Sequence, residues 1–257
     1  MVQIDGLYGI SVKILADSIN EAGNRLVTYE LVYQRMIHAE LLTHGMLVRN
    51  AASSRAIPFE KMVKQLTARP VRFGQANKGM QDKGEDYDAL IQGEYITEDE
   101  DYQYHTHDQA WELAKEDAIM WSKRFYEAGY HKQVYNRLTE PFQMMKTVLS
   151  GTEFVNFFWL RNHGAADPTL HELARCMQEA RDQSVPTLLK PGQWHLPYIF
   201  VDWFSYDGGE DQPHYYLSEN DHISNDLSLE DAIKVSAARC AAVSFRNEGY
   251  DLAKTLE

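Results

Sequence analysis

Two segments near the N-terminus, residues 12–17 and 26–33, are dense in β-branched and aromatic residues, and Asn20-Glu-Ala-Gly23 between them has turn chemistry. The pattern predicts a β-hairpin. A lone hairpin is marginal in water, so its apolar face must be covered by the rest of the chain. Most of that remainder has helical spacing. Residues 36–47 (MIHAELLTHGML) repeat apolar side chains at helical intervals, and a second helix is expected between Pro58 and Pro70. Further helices are predicted near 108–128, 131–140, 142–162 and 168–183. Residues 198–204 read as a strand, and 228–245 as a helix with Ser228 as N-cap and Asp231 three residues later. Stretches 74–84 and 205–227 are loop-like, and the acidic run 98–101 reads as a solvated face. The expectation is one α/β (α+β) domain over residues 1–257, a mixed sheet with helices packed on it.

At 257 residues and 44% hydrophobic content, the chain is long enough to bury a substantial core. Its net charge of −13 argues against a nucleic-acid polymer as partner, because such affinity rests on Lys and Arg neutralising phosphates. A small phosphorylated ligand needs only a few well-placed cations. Cys176 and Cys240 make no disulfide scaffold and read as buried thiols in helical contexts. With no signal peptide and no apolar run of about 20 residues, the chain reads as soluble and cytoplasmic.

The segment Thr43-His-Gly-Met-Leu-Val-Arg-Asn-Ala-Ala-Ser-Ser-Arg55 carries the most chemistry. Its small residues allow a ligand close to the backbone, Ser and Asn offer hydroxyl and amide partners, and Arg55 supplies a planar fork suited to phosphate. A nucleotide loop and a helix end capped by Ser and Asn both fit it. The histidines at 105, 107, 163, 171, 195, 214 and 222 lack zinc-motif spacing, so no metal is expected. Dinucleotide and P-loop glycine motifs are absent, as is a nucleophile elbow.

This segment resembles the signature of the flavin-dependent thymidylate synthases, the ThyX family: Arg-His-Arg, two residues, Ser, one residue, Asn, two residues, Ser, one residue, Arg. His44, Asn50, Ser53 and Arg55 match it, whereas Thr43 and Gly45 replace the two flanking arginines and Val48 replaces the first serine. The match extends through Pro58 to a divergent branch common in phage and some bacteria. Residues 131–141 (HKQVYNRLTEP) and 152–161 (TEFVNFFWLR) resemble two further family blocks. Residues 73–81, 190–197 and 237–245 are similar to the branch without individual roles. Asp167 and Thr169 depart from the family's Gln and Glu downstream.

The resemblance implies a ThyX-like fold, FAD as cofactor, NADPH as reductant and methylenetetrahydrofolate as carbon donor, with dUMP methylated to dTMP. It implies a homotetramer whose sites are shared between subunits. Glu40, Ser53, Arg55, Arg137 and Arg161 would contact the substrate, Arg161 with a catalytic role on the pyrimidine ring. His44, Asn50 and Asn156 would face the flavin. A related enzyme adding another one-carbon unit to a pyrimidine, such as a hydroxymethyl group, and a nucleotide-binding homologue without flavin are the alternatives. A Glu-His pair beside a phenylalanine, used by the family on the folate side, has no counterpart here. Branch members carry one beyond the point where this sequence stops at Glu257, so either a tail is missing or that half of the site is absent.

Overall fold

The computed structural model describes residues 2–54, 57–76, 84–95, 102–205, 208, 211–217 and 226–243. The expected hairpin is its centre. β2 (Ser11–Asn20) and β3 (Arg25–Gln34) pair antiparallel around a turn in which Gly23 takes a φ of 84°. Only glycine adopts that conformation without steric cost. β7 (Met144–Gly151) lies on the other side of β3, and β4 (Val48–Ala51) closes that edge. At the far edge, β1 (Gln3–Asp5) pairs antiparallel with the start of β2, and β8 (Thr187–Leu189) runs parallel to its end. The result is a mixed six-stranded sheet in the order β1-β2-β3-β7-β4, with β8 beside β2.

Both faces of this sheet are covered. Alternation along β3 sends Val27, Tyr29, Leu31 and Tyr33 to one face, where they pack on α5 (Val155–Arg161) and α6 (Pro168–Gln183). α6 begins as its sequence requires. Pro168 occupies the first turn, and the Asp167 side chain accepts from the backbone N–H groups of Thr169 and Leu170. The opposite face carries Leu15 and Val148 against Val243 and Tyr198. α7 (Leu229–Ala241), capped by Ser228 as expected, packs on the hairpin of β9 (Phe200–Phe204) and β10 (Gln212–Tyr216) through Ala232 and Val235. A separate cluster joins α2 (Phe59–Val63), α3 (His107–Glu127) and α4 (Lys132–Tyr135) through Phe59, Met62 and Tyr135. β5 (Ile91–Tyr95) and β6 (Tyr102–His105) form a small hairpin ahead of α3.

Three predicted helices come out differently. Residues 142–162 are not one helix but β7 followed by α5, so Thr152 stands before α5 and shares no helical face with Asn156. Met144, Met145, Val148 and Leu149 have helical spacing, yet β7 is hydrogen-bonded on both sides and buried on both faces, which erases the alternation that marks a strand. Residues 36–47 hold only a 3-10 turn (Arg35–Ile37) and the short α1 (His38–Leu42). Beyond α1, Arg49 donates to the carbonyls of Leu42, His44 and Leu47 and so satisfies acceptors that a continuing helix would have used. The predicted helix at 131–140 becomes α4 and a 3-10 segment (Asn136–Phe142). The polar stretch 49–55 lies partly in strand β4, residues 212–216 of the loop-like stretch 205–227 form β10 because they pair with β9, and the loop at 77–83 and the acidic run 98–101 lie outside the described residues.

Cys176 is fully buried, and burial pushes its thiol up to about 12; Cys240 is half-buried, and neither forms a disulfide. Among the described residues no helix is long and apolar enough to cross a membrane.

Leu149, fully buried in β7 between β3 and β4, tests whether this strand is the fold's inner layer. Leu149→Ala should lower the unfolding free energy by about 2–5 kcal/mol, read as a lower urea midpoint at unchanged slope. A change below about 1 kcal/mol would place the residue at a site that collapses freely or is not core.

Candidate functional site

Arg161 is in the last turn of α5, and Glu40 is in α1, more than a hundred residues earlier in the chain. The fold brings them together. Arg161 Nε donates to Nε2 of His44 at 2.9 Å, Nη2 reaches Thr43 Oγ1 at 3.4 Å, and Nη1 lies 3.8 Å from Glu40 Oε2. A guanidinium never accepts, so His44 Nε2 must be the acceptor and its proton sits on Nδ1. The imidazole also stands edge-on to Phe157, with ring centroids 4.9 Å apart. Burial, then the charges of Arg161 and Arg49, push the His44 pKa down, so His44 is neutral at physiological pH. Burial and Asp167 push the Glu40 carboxyl up, opposed by Arg161. Three of the expected site residues thus meet in one cluster.

Asn50 does not join them. Alternation along β4 points Arg49 toward His44 and Asn50 to the other face of the sheet, where its Nδ2 donates to the carbonyls of Cys240 and Ala241 at 2.9 Å each. It caps the end of α7. Asn156 lies exposed on α5, one residue before Phe157. Near this cluster Met46, Val155 and Trp159 are each 73% exposed, and Val48, equally exposed, lies on the Asn50 face of β4.

Ser53 and Arg137 form a second neighbourhood at the far end of β4. Asn136, fully buried, donates to the carbonyls of Ser54 at 2.7 Å and Ile57 at 3.0 Å. Ser54 Oγ donates to Glu140, which is also paired with Arg35. Ser53 and Arg137 are therefore each one residue from a bonded pair, and the Arg137 side chain is exposed. Arg55 lies outside the described residues.

A third polar centre was not visible in the sequence. Ser18 Oγ and His195 Nδ1 are 2.8 Å apart, His195 Nε2 and Thr28 Oγ1 are 2.8 Å apart, and Thr28 Oγ1 and Ser150 Oγ are 2.7 Å apart. Ser18 reaches this face because β2 bulges between Ile14 and Ala16, which shifts every later residue by one. Ser18, Asn24, Lys190 and Gln193 line an open cavity of about 610 Å³ beside His195. Among the described residues no group of three or more His, Cys, Asp or Glu side chains is placed to hold a metal.

Burial, opposed by the charge of Asp17, pushes the His195 imidazole from 6.5 down to about 4. The unfolded chain therefore takes up this proton first as pH falls, and stability drops from about pH 6.5 toward pH 4. The loss from this group should approach about 3 kcal/mol by pH 4. Urea midpoints of wild type and His195→Asn across that range check it: the wild type should show the steeper fall, and identical slopes would rule out a neutral buried His195.

Compared with models of known protein families and with curated proteins, the chain matches none, so the functional reading rests on these residues and their arrangement.

Proposed function

We propose that the chain is a flavin-dependent enzyme of the thymidylate synthase type, with a ThyX-like fold, that modifies C5 of a pyrimidine deoxynucleotide. In the family it resembles, the acceptor is dUMP and the product dTMP. The convergence of Glu40, His44 and Arg161 carries this reading. Residues that the resemblance assigns to the base and the flavin meet although they come from segments distant in sequence.

Arg161 would stabilise negative charge developing on the pyrimidine ring, as a preorganised donor held in place by His44 and Thr43. Ser53, Arg55 and Arg137 would grip the phosphate and so fix the ring. The two clusters sit in different neighbourhoods of the fold, and a second copy of the chain, as in the homotetramers of the family, would complete a site that needs both. The exposed apolar side chains of Met46, Val155 and Trp159 are suited to such an interface.

The residues present fit a flavin in part. His44 and Asn156 would hold it, beside the exposed indole of Trp159, while Asn50 is committed to the end of α7. When bound, FAD would supply hydride drawn from NADPH, with methylenetetrahydrofolate as the carbon source. The setting we propose is cytoplasmic.

An absorbance spectrum of the purified protein, after FAD is added and excess removed, is the direct test. Retained flavin bands that shift when dUMP is titrated support the proposal. Arg161→Ala should weaken the nucleotide response at least about tenfold, and Arg161→Lys should recover little, because an ammonium lacks the planar fork. A protein that never retains FAD, yet binds the nucleotide, is a flavin-free homologue. One that binds neither is not of this type.

A further inference from the structure

We propose that the base taken at this site is a 4-aminopyrimidine, so that a cytosine deoxynucleotide is preferred to its uracil counterpart, with Glu40 as the selecting residue. This rests on the pyrimidine-nucleotide reading above and names which pyrimidine. The observation is the juxtaposition of a guanidinium fork and a carboxylate: Nη1 of Arg161 lies 3.8 Å from Glu40 Oε2, with the Glu40 side chain 43% exposed to an incoming ligand. Read along that edge, the protein offers donor, donor, acceptor.

Cytosine presents the complement. Its O2 and N3 accept, and its exocyclic amino group donates, so the N–H groups of Arg161 Nη2 and Nη1 not engaged by Thr43 and His44 can address O2 and N3 while Glu40 accepts from the amino group. A carboxylate accepting from the cytosine amino group is a known pairing of this chemistry. Uracil presents acceptor, donor, acceptor. Against the same edge, its N3–H meets an Arg161 N–H, and its O4 meets a Glu40 oxygen, so two contacts turn repulsive. Uracil can pair only by shifting, with N3–H on Glu40 and a single Arg161 bond to O2, which leaves O4 without its partner. An amide at position 40 could turn either end toward the base, whereas an ionised carboxylate only accepts.

The surroundings act in the same direction. The charge of Asp167 adds to burial in raising the Glu40 carboxyl, so a second negative charge lies near this corner. Its potential opposes a carbonyl oxygen and favours an amino group. Asp167 is held in place by the Thr169 and Leu170 N–H groups at the start of α6. A polar mismatch in a site built to hydrogen-bond its ligand costs far more than a missing methylene.

Calorimetric titration of the full chain with dCMP and with dUMP, for wild type and for Glu40→Gln, tests this. The wild type should bind dCMP at least about tenfold more tightly, and Glu40→Gln should bring the two within about twofold or reverse their order. Equal or tighter wild-type binding of dUMP overturns the base assignment and leaves the nucleotide reading standing. A dCMP preference that Glu40→Gln does not change overturns Glu40 as the selector. Binding of neither nucleotide overturns both this inference and the function it rests on. The wild-type ratio alone decides the base if the variant does not fold.

Discussion

β3 is hydrogen-bonded along both edges, to β2 and to β7, and is covered on both faces. The elements that position Glu40, His44 and Arg161 are referred to it directly or through β7. On one face the aromatic and aliphatic side chains Tyr29, Leu31 and Tyr33 receive α5 and α6, and α5 ends at Arg161. On the other face Thr28 and Glu30 bind polar side chains of the 190–198 segment, His195 and Tyr198. An inner strand with two buried faces tolerates neither a register slip nor a polar group without a partner. That intolerance is what makes the attached helices dependable supports for a site.

The bulge in β2 shows how much one residue decides. Without the extra residue between Ile14 and Ala16, Ser18 would sit opposite Arg25 instead of Leu26, on the helix-covered face. Asp17 would then sit opposite Leu26 and turn from Arg25 and α6 toward His195. With the bulge, Asp17 pairs with Arg25, which also donates to the carbonyls of Arg181 and Ser184 at the end of α6. Ser18 meets His195 instead. The same shift thus anchors a helix on one face and builds a hydroxyl–imidazole relay on the other.

Arg49 and Asn50 make the complementary point at the other edge. Adjacent in β4, they project to opposite faces, and each satisfies backbone carbonyls at a chain turn or helix end. Arg49 ends α1 and sets the turn that presents His44. Asn50 ties the sheet to α7. A motif of polar residues that looks continuous in one dimension is therefore divided by the pleat between a site and a structural cap.

Local signals along the chain specified the β2–β3 hairpin with its glycine turn, the long α3, the helix α6, and α7 begun by Ser228. Caps and turns rest on contacts within a few residues, so their chemistry is readable in order along the chain. The sequence also marked Glu40, His44 and Arg161 as candidates. Tertiary structure alone decided that these three touch, that Asn50 faces away from them, and that residues 144–151 are a strand, not a helix. Those outcomes depend on strand neighbours distant in sequence and on a bulge that resets which face each side chain takes. No local pattern encodes either, because pairing partners and pleat direction are properties of the assembled sheet.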